Sequence, residues 1–135
     1  MITSRFGSIT RDDVSAAFFD ATAQGRLLLR RCSLCGRVRA PEIATCSGCL
    51  SESFEWIDAA GTGHVESWIV VHGRPDADGT IPEPRVLATV ELTEGPWITS
   101  ALIDIAAGEV AGGLPVQVAF VHPPGSEAIP VFRRA

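Results

Sequence analysis

The chain has 135 residues, is 46% hydrophobic and carries a formal net charge of −5. This length suits one ordinary domain or two small modules with a shared core. No apolar run approaches the ~20 residues that span a bilayer, and the opening MITSRFGSITRDDVS has no apolar signal stretch, so a cytoplasmic protein without a membrane partner is expected. All eleven basic residues are arginine, and lysine and tyrosine are absent, which removes a Schiff-base lysine from the chemistry available. Residues 1–60 carry seven arginines against seven acids; from Gly61 onward four arginines face nine acids, which puts the whole −5 in the second half.

In chain order, Val14, Ala17, Phe18 and Ala21 fall at i, i+3, i+4 and i+7, which predicts an amphipathic helix over 12–24, with Thr10 or Asp12 as N-cap and Gly25 as its stop. RLLLRR then runs as a strand into Cys32-x-x-Cys35, and SFEWI leaves Cys46-x-x-Cys49 as another. Two-residue gaps let both sulfurs of a knuckle reach one ion, and two knuckles close a tetrahedron; in a chain without an export signal this favours a metal over disulfides. Four thiolates leave no open coordination position, so the metal is expected to be structural: one Zn2+ per chain, with rubredoxin-like iron as the alternative. Arg26, Arg30, Arg31, Arg37 and Arg39 lie close in sequence to the cysteines and offset the charge of the thiolates.

Beyond AAGTG the pattern turns to strands. HVESWIVVH alternates, with Glu66, Trp68 and Val70 set against Val65, Ser67, Ile69 and Val71. VLATVEL and WITSALID are joined at Glu94-Gly95-Pro96 as a hairpin, and PVQVAFV and AIPVFRR follow. A long polar loop with three prolines separates the first two of these strands. The expectation is a mainly β protein: an N-terminal helical segment (1–25), a four-cysteine, rubredoxin-like zinc ribbon (26–60) and a small, partly open five-stranded OB-fold barrel (61–135), the alternative for the last being a sandwich fragment.

No catalytic residue is identified. His64, His72 and His122 stand at strand edges outside any nucleophile or metal motif, Glu66 reads as a rim residue, and every cysteine is a ligand. Ribbons and OB barrels both suggest nucleic acid, with Trp68 and Trp97 as stacking platforms, but a barrel region of −5 opposes phosphate binding, so no nucleic-acid partner is expected.

The order LLLRRCSLCGRVRAP, CSGC, FEWIDAAGTGHVESWIVV, PEPRVLATVELTEG and GLPVQVAFVHPPGSEAIPVFRR, preceded by a helix, resembles the prokaryotic family of OB-fold proteins with a rubredoxin-like zinc ribbon. The match runs from about Phe18 to Arg133, through Gly61-x-Gly63-x-Val65, Pro84 and the Pro-Val-Phe ending; the chain departs from the family pattern with Ser47 and Leu50 around the second knuckle. The resemblance implies a non-catalytic subunit in acyl-CoA metabolism, partnered with a thiolase-like aldolase that cleaves steroid or related side chains. The alternatives are an acetoacetyl-CoA thiolase assembly and a free-standing acyl-CoA-binding module. CoA phosphates would want Arg30, Arg31, Arg37 and Arg39, and the acyl part an apolar groove lined by Trp68.

Overall fold

The computed structural model describes residues 9–135, so the first eight residues of the expected N-terminal segment lie outside the described part. The elements are α1 (Ala16–Thr22), β1 (Leu28–Cys32), β2 (Val38–Arg39), β3 (Phe54–Asp58), β4 (Thr62–Val71), β5 (Arg85–Leu92), β6 (Trp97–Ile103), a 3-10 turn (Ala107–Glu109), β7 (Pro115–Val121) and β8 (Ile129–Arg134). β2-β1-β3 form a three-stranded antiparallel sheet, and β4-β5-β6-β8-β7 close into a barrel.

The helix is shorter than the stripe predicts. Asp12 and Ser15 bond reciprocally, Ser15 N donating to Asp12 Oδ1 at 2.8 Å and Asp12 N to Ser15 Oγ at 3.0 Å, which closes a turn before helical residues begin at Ala16. Val14 therefore falls in that turn, 73% exposed, and the packed face is Ala21 and Thr22, buried, with Phe18 half-buried beside them. Gly25, at φ +73°, ends the segment as expected. Arg11 binds both carboxylate oxygens of Glu127, at 2.8 and 2.9 Å, and also pairs with Asp20; Glu127 N donates to Ile9 O at 2.9 Å. The N-terminal segment is thus pinned to the β7–β8 loop.

In β5 the alternation is plain: Val86, Ala88, Val90 and Leu92 are buried and face inward. β4 corrects the sequence reading. Val65 pairs with Val90, Trp68 with Ala88 and Val70 with Val86, while the register slips between Val65 and Ser67. Directly opposed residues share a face, so a β-bulge at Glu66 puts Val65 on the same face as Trp68 and Val70 rather than on the opposite one.

Close approach needs the glycines at the entry to the barrel. A Cβ on Gly61 would stand 2.6 Å from Val118 Cγ1, and one on Gly63 would stand 2.3 Å from Glu91 O. The hairpin at Glu94-Gly95-Pro96 forms as expected, with Leu92 N bonded to Pro96 O at 2.9 Å. The barrel is closed, not partly open. Its last seam is a parallel contact between β6 and β8, held by Leu102 opposite Phe132 and Ile103 opposite Arg133. One core serves both parts: Leu27 and Leu29, from the start of the ribbon, pack with Val65, Val90, Leu102, Val116 and Phe132 of the barrel. No helix among the described residues is long and apolar enough to cross a membrane.

Candidate metal centre and the ribbon–barrel junction

Each knuckle is a tight turn after an element of the ribbon. Gly36 N bonds Cys32 O at 2.9 Å, and Leu50 N bonds Cys46 O at 2.7 Å, so the two knuckles repeat one backbone pattern. Gly36 (φ +79°) and Leu50 (φ +64°) take the left-handed conformation at equivalent places. The four sulfurs lie within 4.8 Å of one another, with Cys32 to Cys49 at 3.5 Å and Cys35 to Cys46 at 3.7 Å. Sulfurs about 2.3 Å from a tetrahedral zinc stand ~3.8 Å apart, so the cage has the size the ion requires.

Electrostatics favour the thiolate at Cys46 and Cys32. Burial raises the Cys46 thiol, but the Cys49 and Gly48 N–H groups and the Arg39 guanidinium outweigh it and bring it down to about 6. Cys32 is lowered, chiefly by the backbone N–H of Cys35. At Cys49 the Ser51 N–H is opposed by burial and by the three neighbouring sulfurs, which push this thiol up to about 12. Four sulfurs this close compete for a proton, and a divalent ion removes that competition. The centre is that of one structural zinc.

The arginines do not form one patch. In β1, Arg30 lies opposite both Arg39 and Trp56, whereas Arg31 lies opposite Val38 and Glu55. Adjacent strand residues face opposite ways, so Arg31 is on the other side of the sheet, ion-paired to Glu55 at 2.6 Å. Arg26 is taken by Asp58 at 2.8 Å. Arg39 Nη2 approaches Cys46 Sγ at 3.6 Å, and the guanidinium groups of Arg37 and Arg39 fill the space beside Gly48. Arg30 stacks 4.6 Å over Trp56 and donates to Ile43 O at 3.1 Å.

Two clefts meet at the junction of ribbon and barrel. One, about 600 Å³, is largely apolar and is lined by Phe18, Phe19, Arg30, Trp56, Trp97 and Ile129 among others. The other, about 530 Å³, is polar and holds Arg37, Arg39, Glu42 and Glu94. Trp97 borders both. Trp68 lines neither; it sits on β4. The cleft-forming roles of Trp56 and Phe18 escape the sequence reading, because the junction joins segments distant in sequence. Only the FEW triplet beside the second knuckle hints at them.

Residues 19–55 match the family described as ChsH2, rubredoxin-like zinc ribbon domain, and residues 56–121 match ChsH2, C-terminal OB-fold domain. A solved structure, "Ltp2-ChsH2(DUF35) aldolase", is 35% identical with a TM-score of 0.78, covering 93% of this chain and 97% of that one. A Thermomonospora curvata protein described as "Probable enoyl-CoA hydratase alpha subunit" is 38% identical over 128 residues, which are 95% of this chain but 39% of that protein. A "DUF35 domain-containing scaffold protein" of Methanocaldococcus jannaschii is 36% identical over 91 residues, 67% of this chain and 64% of that one. The chain thus spans less than two thirds of the length of these two relatives. With a four-thiolate ribbon feeding a closed OB barrel in the order of both matched domains, the chain belongs to the ChsH2-type DUF35 family.

Proposed function

We propose that this chain is a non-catalytic subunit of a thiolase-like aldolase acting on acyl-CoA thioesters, in retro-aldol cleavage of a steroid or related side chain. The observation that carries the reading is the likeness to the Ltp2-ChsH2(DUF35) aldolase, which extends over 97% of the matched chain. The chemistry agrees with it. Retro-aldol cleavage needs a base for the β-hydroxyl and a group that stabilises the departing enolate. The zinc shell is closed by four sulfurs, and the chain has no lysine. The partner supplies base and enolate stabilisation, and this chain supplies binding surface.

The CoA thioester fits the ribbon–barrel junction: phosphates beside Arg37 and Arg39, and the apolar part along Trp56 and Trp97 with Arg30 at the wall. Arg31, held by Glu55 on the other face of the sheet, and Trp68, which lines neither cleft, lie outside this surface. The scaffold description of the Methanocaldococcus relative favours one second reading, a subunit that holds an acetoacetyl-CoA thiolase assembly together.

The test is co-expression with a thiolase-like protein encoded beside it, followed by co-purification and an assay of short acyl-CoA release from a β-hydroxyacyl-CoA. Activity is expected only from the complex, and Arg37→Glu in that complex should raise KM with little change in kcat. Turnover by the chain alone, or a partner fully active without it, would overturn the reading.

A further inference from the structure

Apart from the cysteines, one group of described side chains brings three metal-ligating atoms together, on the wall of the barrel: His64, Glu66 and Glu91. His64 and Glu91 are directly opposed across β4 and β5. The bulge leaves Glu66 without a cross-strand partner, and its side chain turns to His64. His64 Nε2 stands 2.8 Å from Glu66 Oε1 and 3.7 Å from Glu91 Oε2, and all three donor atoms lie within 4.8 Å of one another. Nitrogen and oxygen ligands about 2.1 Å from one ion are separated by ~3.0–3.4 Å. The observed separations bracket that value.

Charge points the same way. The ion pairs of Glu66 and Glu91 among the described residues are both with His64. Donor oxygens of the two carboxylates lie within 4.8 Å of each other, a juxtaposition that repels unless a positive charge lies between them. One imidazole and two carboxylates neutralise a divalent ion. The second sphere is present too: Trp97 Nε1 donates to Glu91 Oε2 at 3.3 Å and orients it.

We propose that His64, Glu66 and Glu91 form a second metal site, for a divalent transition cation of the zinc, cobalt and nickel class. The imidazole donor selects against Mg2+ and Ca2+, which prefer all-oxygen shells. Three protein ligands on a half-exposed face leave a position for water or for a side chain of another protein. With no thiolate donors, the ion here exchanges readily, unlike the one in the ribbon. Because Trp97 borders both junction clefts, an ion that fixes Glu91 also holds the Trp97 ring at their common wall.

The test uses the full chain carrying its ribbon zinc, as verified by elemental analysis, titrated with Co2+ while tryptophan fluorescence and the thiolate-to-cobalt absorbance are followed. Saturable quenching with a micromolar midpoint and no thiolate band is expected. His64→Ala and Glu91→Gln should each move the midpoint by about tenfold or more, and Trp97→Phe should remove most of the quench. Both ligand positions are partly exposed, so circular dichroism should show these variants folded. Absence of saturable quenching, a midpoint unchanged in both ligand variants, or a thiolate band as the sole signal would each overturn the site.

Discussion

Leu50 occupies in the second knuckle the place Gly36 holds in the first, and at φ +64° it takes a conformation that costs a residue with a side chain about 1–2 kcal/mol. Its side chain is 76% exposed and contributes little burial. Leu50→Gly should therefore raise stability by ~1 kcal/mol and slow zinc release to a chelator, measured by denaturant unfolding and by a metallochromic dye. An unchanged or lower midpoint would mean that the Leu50 side chain is in use. The cysteine ligands are legible in the sequence because four thiols at fixed spacing have few other readings. The arginines are not, since nearness in sequence says nothing about which side of a sheet each occupies. Arg30 and Arg31 are neighbours that face apart, one stacked on Trp56 and the other paired with Glu55.

At the scale of elements, strands are easier to read than their faces. The bulge at Glu66 breaks an alternation that looks regular, because a bulge is set by the partner strand and leaves no mark in the strand's own sequence. The apolar stripe over-extends the helix for a related reason: the Asp12–Ser15 turn captures the residues at its start. What anchors the helical segment is the Arg11–Glu127 contact. Hydrogen bonding to Arg11 holds the Glu127 carboxyl below its ordinary 4.5. A depressed carboxylate stabilises above its unfolded pKa, and the contribution is lost as pH falls through the folded value. Glu127→Gln should thus melt lower than the parent protein at neutral pH, and the gap should close as pH falls below about 4.5, as read by parallel thermal scans. A gap that stays constant to strongly acid pH would show that the carboxylate's charge is not what anchors the segment.

At the scale of the whole molecule, ribbon and barrel share one core, although the sequence reads as separate parts. Leu27 and Leu29 leave the ribbon to complete the barrel core. Zinc binding is worth about 10–16 kcal/mol in small ribbons and fingers, so chelation should unfold this one. That would withdraw both leucines from the barrel, at about 2–5 kcal/mol each, against a total stability of about 5–15 kcal/mol. Chelator-treated protein should lose barrel structure at much lower denaturant than the zinc form, with tryptophan fluorescence and far-ultraviolet dichroism changing together. A barrel that melts as before would show two independent modules. The order of ribbon and barrel is legible from periodicity and turns. Closure is not, because the β6–β8 seam joins strands far apart in sequence and in parallel, and no local pattern encodes it.

That seam has a kinetic consequence. β8 is laced to β7 from Val116–Arg134 to Val121–Ile129, but its ladder with β6 has only the pairs Leu102–Phe132 and Ile103–Arg133, supplemented by one side-chain bond from Ser100 Oγ to Pro130 O at 2.6 Å. A cavity of about 540 Å³ lined by Ile103, Ile129 and Val131 already lies beside it. When the barrel breathes, β7 and β8 should swing together as a flap while β4, β5 and β6 stay joined. Amide deuteration followed by mass spectrometry should then label the seam residues of β6 and β8 well before the centre of β5, and equal protection in both places would refute the flap.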